Sequence, residues 1–456
     1  MVKQFNDQGG FAASNPTAFR RFIQSRVMTS LFTSKAMAKR RVAAERERKA
    51  AGSPHRVLYF HQVDDGYSHL AAQFLSQLST RYDVEISCFL VSPPVGKNVA
   101  EPELLARLSR YDAHQIADGY GLSFPDHPEA PQAVLLQKAK GVLAAQADRQ
   151  FAAVAGAVSD ALWSGDEQAL DDLAATYGCA SPEEIEKALD RGDAERKALK
   201  HYSGAMFYYG GEWYWGVDRL YHLEQRLAEL GVDHQPGTPL LAPKPEIDWG
   251  GVKGDGSITL ELYASLRSPY TAVIFDRAVQ LAESAGVKLD LRPVLPMVMR
   301  GVPATREKGM YIFMDAAREA RSAGIRYEKF YDPIGEPARR CYSLYPWAAS
   351  QGRGVELFSS FLQHAFVKGI STNNDRGLRK VVEAAGLDWH EAQQHLGSEG
   401  WQEQLEVNRL TMYDAGLWGV PSFRLLDANG EPVVSLWGQD RLWVVAREIS
   451  RLLGSQ

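Results

Sequence analysis

The sequence predicts an α/β protein of two tandem domains built on one plan, each carrying a helical insertion. Three observations predict it. The first is self-similarity. Arg56–Ser76 recurs as Ile258–Val279, and without gaps Tyr67 falls on Tyr270 and Asp65 on Ser268. Asp112–Leu122 matches Asp315–Ile325 at equal length, and Trp215–Leu220 matches Trp437–Leu442. Three matched stations in one order describe a duplicated unit of about 190–210 residues. The second observation is the pattern inside each unit: an apolar strand, a polar turn, a helical period, a second strand, a long helical region, a hairpin and a closing helix. The third is the Pro, Gly and Asp cluster over Pro236–Ser257, whose stiff extension followed by turn residues reads as a linker.

Taken in order, residues 1–54 form a basic helical segment, residues 55–245 a first domain and residues 246–456 a second. Pro16–Ala51 reads as a helix with Phe19, Phe22, Ile23, Val27 and Leu31 spaced toward one face. Residues 1–56 hold twelve Lys/Arg against three Asp/Glu, so the remainder carries fourteen more acidic than basic residues. A basic leader on an acidic body implies a surface contact. The plainer reading is a helix that packs on the body; peripheral membrane contact through residues 1–50 and a transit peptide are the alternatives. In the second domain Ile258–Ala264 reads as the first strand and Lys288–Val294 as the next, followed by helices across Arg306–Leu410. Phe423–Leu426 and Val433–Trp437 flank Asp427-Ala428-Asn429-Gly430, a hairpin signal because Asn and Gly both tolerate positive φ. Arg441–Leu453 closes the domain. A βαβ unit, a helical insertion, a hairpin and a last helix make the thioredoxin plan.

Bulk properties exclude several function classes. With 45% hydrophobic and 23% charged residues the composition is that of a soluble globular protein, and a net charge of −5 argues against a nucleic-acid partner. Cys88, Cys179 and Cys341 lie far apart and no C-x-x-C exists, which speaks against a disulfide framework or a dithiol motif and fits a reducing, cytoplasmic setting. No apolar run is long enough for a membrane span, and no secretory h-region opens the chain. His390-Glu391 and His395 do not form H-E-x-x-H, so no metal is expected. The aromatic residues between Tyr202 and Trp215 read as a cross-strand packed face rather than a base-stacking platform.

Three stations in the second domain carry chemistry. Arg267-Ser268-Pro269-Tyr270 falls between the first strand and the first helix, where free N–H groups and the helix dipole favour an anion. A hydroxyl there can donate a hydrogen bond to a bound thiolate and lower its pKa, although it cannot exchange disulfides. The plainer reading makes Ser268 an N-cap with Pro269 at the first helical position. Gly419-Val420-Pro421-Ser422-Phe423 places a Val-Pro just before a strand, a position for a cis peptide that leaves the Val420 backbone able to pair with a peptide-like ligand; a trans proline opening an edge strand is the alternative. Gly438-Gln439-Asp440-Arg441 opens the last helix, suited to a carboxylate, with Asp440 placed for an ammonium group or a cap.

Ser-Pro-Tyr after the first strand, Gly-Val-Pro-x-Phe, and Trp437-Gly-Gln-Asp-Arg-Leu442 resemble the 2-hydroxychromene-2-carboxylate isomerases and their kappa-class glutathione transferase relatives, within the DsbA-like superfamily. Lys308–Ala316 and Asp332-Pro333 resemble that family's helical insertion. The likeness covers residues 257–454, and more loosely 55–235. It implies two DsbA-like, kappa-type thioredoxin domains and glutathione as cosubstrate. On it, Ser268 would bond the glutathione sulfur, Val420 would pair with the cysteinyl backbone, and Gln439 and Asp440 would hold the γ-glutamyl end. Pro269 and Pro421 would complete the glutathione site, and Tyr270 would line the side of a small hydrophobic or aromatic substrate. Thr271-Ala272 departs from the family's Ser-Tyr or Ser-Trp, and Met299–Thr305 lacks its loop asparagine.

The first domain reads as a degenerate copy that stands in for the second subunit of a family dimer, an intrachain pseudo-dimer that leaves further oligomerisation open. Asp65 replaces the serine, Gly66 the proline after it, and Ala205 the later proline. Two other functions compete: an unusual DsbA-family oxidoreductase, against which the missing paired cysteines weigh, and a non-catalytic binding module.

Overall fold

The computed structural model describes residues 15–126, 129–302 and 304–454. They divide into two compact units. One is Lys39–Glu246; the other joins the stretch ending at Ala38 to the stretch beginning at Ile247.

In the Lys39–Glu246 unit the strands are β1 (Arg56–His61), β2 (Glu85–Leu90), β3 (Met206–Tyr209) and β4 (Glu212–Trp215). Their order is β2-β1-β3-β4, with β1 and β2 parallel and the other pairs antiparallel. A parallel pair needs a crossover, supplied here by the short helices Gly66–Ala72 and Leu75–Arg81. Among the described residues, five α-helices and a short 3-10 turn at Asp118–Tyr120 lie between Pro102 and Ala198 and form the insertion. The aromatic residues pack across strands: Phe60 meets Trp213 and Phe89 at 5.2 Å each, Tyr208 meets Trp213 at 4.8 Å, and Arg191 from the helix Pro182–Ala198 lies over Phe89.

In the other unit β5 (Thr259–Ala264), β6 (Lys288–Pro293), β7 (Ser422–Leu426) and β8 (Pro432–Trp437) follow the same scheme, β6-β5-β7-β8. β5 is buried from Leu260 to Ala264, as expected of a central strand covered on both faces. Its one acid, Glu261, is buried with partners on every side: Arg292 donates to it at 2.8 Å, Arg424 at 3.3 Å and the Tyr263 hydroxyl at 2.8 Å. The β7–β8 hairpin forms where Asn429-Gly430 predicts it, but the turn is wider than a two-residue loop. Only Gly430 has positive φ, Asp427 N–H donates to Glu431 O, and the register shifts at Leu425/Leu426. The insertion runs from Arg306–Ser322 through Glu336–Ser350, Gly354–Leu362, Asp375–Ala384 and Trp389–His395 to Trp401–Asp414.

The basic leader holds two helices, Ala18–Phe32 and Ser34–Ala50. The first packs on its own unit, but through the face opposite the expected one. Arg21, Ser25 and Phe32 are buried. Arg21 donates to the carbonyls of Asp332 and Ile334, Ser25 Oγ accepts from Asp332 N–H, and Phe32 sits among Phe313, Tyr327 and Phe330. Of the expected stripe, Phe19, Phe22, Ile23 and Val27 point outward and Leu31 is half-buried. The loop at 330–334 has backbone groups to satisfy, which polar side chains do and apolar ones cannot. Among the described residues no helix is long and apolar enough to cross a membrane.

Candidate functional site

Ser268 caps the helix Pro269–Ala285, with Pro269 at its first turn and Gly286 in the left-handed region at its end. Thr271 N–H donates to Ser268 Oγ at 3.1 Å, so the capping reading holds. The same hydroxyl also donates to Val420 O, at 3.3 Å across 152 residues of sequence. Val420-Pro421 is cis. Gly438 N–H then donates to Pro421 O at 3.0 Å, which ties the prolyl loop to the turn Gln439–Arg441. The three stations predicted from sequence therefore meet at one end of the sheet.

The surroundings fix these positions. Tyr342, on the insertion helix Glu336–Ser350, accepts from Leu266 N–H at 3.0 Å and donates to Val294 O at 2.9 Å, bracing the ends of β5 and β6 together. Arg267, next to Ser268, forms a bidentate pair with Asp332 at 2.9 and 3.1 Å. Gly419 is demanded by packing: a Cβ there would lie 2.5 Å from Trp437 Nε1, and an indole ring cannot yield by bending.

The other nominated residues take more structural postures. The Tyr270 hydroxyl turns inward and donates to buried Asp315 at 2.8 Å, while Asp315 also accepts from Arg318 at 2.6 Å. The Gln439 side chain is buried and donates to Glu319 at 2.9 Å, so it is held by the fold. Asp440 lies 3.4 Å from Arg441 Nη1 and keeps part of its carboxylate exposed.

Sequence reasoning missed Lys308. It rises from the first turn of the helix Arg306–Ser322 and lies 5.5 Å from the ring of Trp418, which packs on Trp437 at 5.0 Å. Burial pulls its ammonium down to about 8. Lys308 stands in the segment that carried the family likeness, so a signal was present. Asp332 was noted only within a dipeptide; its link to Arg267 spans 65 residues.

At the matching place in the Lys39–Glu246 unit, Asp65 caps the helix Gly66–Ala72 and accepts from both the N–H and the hydroxyl of Ser68 at 3.0 Å. Burial raises its carboxyl to about 6, against those hydrogen bonds. A Cβ on Gly66 would meet Ala113, Ser109 O and Phe124 at 3.0–3.2 Å, so this helix start is covered by packed groups. Ala205 occupies the proline's place with φ 54, and Gly216 N–H donates to its carbonyl at 2.7 Å. Tyr67 donates to Asp112 at 2.8 Å, the counterpart of the Tyr270–Asp315 bond. Among the described residues no group of three or more His, Cys, Asp or Glu side chains could hold a metal ion.

A parallel β5–β6 pair, an antiparallel hairpin and a capped helix facing a cis-prolyl loop define a domain of the thioredoxin type. Residues 259–450 match the family model of the DSBA-like thioredoxin domain. A probable DsbA oxidoreductase from Streptomyces coelicolor is similar at 19% identity over 44% of this chain and 91% of its own, with a TM-score of 0.34. A 2-hydroxychromene-2-carboxylate isomerase is similar at 18% identity over 43% and 97%, TM-score 0.36. The cytosolic disulfide reductase DsbM from Pseudomonas aeruginosa is similar at 17% identity over 43% and 98%, TM-score 0.30. No curated protein sequence matches the chain.

Proposed function

We propose that the second domain is a glutathione-dependent isomerase or transferase of the 2-hydroxychromene-2-carboxylate isomerase and kappa type, acting on a hydrophobic or aromatic electrophile. One observation carries this reading: Ser268 Oγ, at the positive end of a helix, lies 3.3 Å from the Val420 carbonyl in the cis-prolyl loop. A hydroxyl donor at the positive end of a helix is what a thiolate needs to be held ionised near neutral pH. Glutathione would supply the nucleophilic sulfur, which adds to the electrophile and, in an isomerase, leaves again by elimination.

The chain's own groups fit the parts of that tripeptide unevenly. Ser268 swings its proton from Val420 O to the sulfur. Val420, just ahead of the β7 ladder, offers backbone to the cysteinyl unit. The partly exposed carboxylate of Asp440, in the turn Gln439–Arg441, suits the ammonium of the γ-glutamyl end. Lys308 adds a cation beside the prolyl loop. The first domain is a degenerate copy from a tandem duplication, and the protein acts in the cytoplasm.

Calorimetry tests the reading. The wild-type protein should bind glutathione, and Ser268→Ala should weaken binding by roughly tenfold or more, the worth of a charge-assisted hydrogen bond of about 1.5–3 kcal/mol. Unchanged affinity in a folded Ser268→Ala protein would sink the assignment. Insulin reduction by the purified wild type would instead favour an oxidoreductase.

A further inference from the structure

The helix Ala18–Phe32 has two faces with opposite duties. Its inner face is fixed by Arg21, Ser25 and Phe32, as described above. Its outer face carries Phe19, Phe22, Ile23 and Val27, with 75, 46, 44 and 54% of their surfaces exposed. Helical spacing puts Arg26 and Ser30 on that same side. Arg26 lies over the Phe22 ring at 5.6 Å, and Arg20 flanks the stripe, exposed. A row of two phenylalanines and two aliphatics is costly to leave in water unless something covers it.

Charge selects the occupant. From Asn15 to Ala44 the sequence has seven Lys/Arg and no Asp or Glu, in a chain whose net charge is −5. Apolar side chains rimmed by cations, on a helix whose polar back is pinned to the body, match the chemistry of an anionic lipid surface, into which such a face sinks to headgroup depth. A second copy of this net-acidic chain offers the basic face only local patches of negative charge, whereas anionic headgroups offer a continuous negative field.

We propose that the outer face of Ala18–Phe32 docks the protein on an anionic membrane surface, with Phe19, Phe22, Ile23 and Val27 inserted and Arg20 and Arg26 against the headgroups. Docking needs no unfolding of the helix, because the residues that hold it to the body are not the ones that insert. The proposal is independent of the glutathione reading.

Co-sedimentation of the full chain with vesicles tests it, using phosphatidylcholine alone and phosphatidylcholine mixed with phosphatidylserine. Binding is expected to the mixed vesicles at low salt and to fade as salt screens the arginines. Phe19→Ser with Phe22→Ser should lower the affinity by about tenfold or more, since two aromatic side chains no longer insert. Arg26→Glu should lower it as well. Val252→Ser, an equally exposed apolar site elsewhere on the same unit, should leave it unchanged. All these positions are exposed, and unchanged melting of each variant verifies folding. No binding to mixed vesicles at low salt, equal binding to both kinds, or full binding by the Phe19/Phe22 variant overturns the proposal. So does a dimer in sedimentation that Phe19→Ser with Phe22→Ser abolishes without affecting vesicle binding.

Discussion

Ser268 has one hydroxyl proton and two lone pairs, and the fold uses the proton on Val420 O and a lone pair on Thr271 N–H. The cap costs the site nothing, because accepting from Thr271 leaves the proton free to turn. That is why a residue so ordinary as an N-cap can also serve chemistry, and why its two readings in the sequence are compatible. It was legible because Ser-Pro before an apolar period is a local signal. The fate of the Tyr270 hydroxyl was not, since its partner Asp315 lies 45 residues away and on another helix. Asp65 makes the contrast measurable. Its carboxyl titrates at about 6 in the fold and near the ordinary carboxylate range when unfolded. Between those values the folded state binds the extra proton, so this group's contribution to stability declines as pH rises from about 4 to about 6, and the penalty is complete above that. Asp65→Asn keeps a cap and removes the charge. It should therefore raise stability at pH 8 by on the order of 2 kcal/mol, seen as a higher melting temperature, and change little at pH 4. Equal effects at both pH values in thermal melts would contradict the burial argument.

At the scale of elements, the helix Ala18–Phe32 shows where periodicity misleads. The stripe Phe19, Phe22, Ile23 and Val27 is a valid helical face, and the helix exists, yet the stripe faces out. A pattern can tell which residues share a side; it cannot tell which side finds a partner. The partner here is a loop with exposed carbonyls and N–H groups, so Arg21 and Ser25 were the better matches. Through that loop the helix reaches the site: Arg21 holds the carbonyl of Asp332, Asp332 holds Arg267, and Arg267 adjoins Ser268. Asp332→Asn should break the bidentate pair while keeping the loop's short-range acceptor for Ile334 N–H. The expected loss is about 1–3 kcal/mol of stability, with weaker glutathione binding and no abolition of it. Melting and calorimetry on one preparation separate the outcomes. A stability loss with glutathione affinity intact would show that the pair braces the loop and not the turn.

Across the whole molecule the same strand order appears twice, with Phe207 set between Tyr59 and Tyr214 as Phe423 is between Leu262 and Leu436. The buried Tyr–Asp bond appears twice as well, at 2.8 Å in both units. Much of this plan was legible, because strand periods, the hairpin signal and spaced matches are written in contiguous residues. At the matched stations the two units differ at a few groups. A carboxylate replaces a hydroxyl at Asp65, and Ser109, Ala113 and Phe124 crowd the start of its helix. Ala205 stands where Pro421 does. A carboxylate ionised above about 6 repels a thiolate, and packed groups leave it no room. Glutathione should therefore bind with one molecule per chain. Asp65→Ser should leave that stoichiometry at one, because the hydroxyl would stand at a helix end still crowded by Ala113, Ser109 and Phe124. A titration that reports two sites per wild-type chain would mean that the first unit is a working site whose chemistry tolerates an acid. Two sites in Asp65→Ser alone would mean that charge, and not the crowding around Gly66, is what silences it.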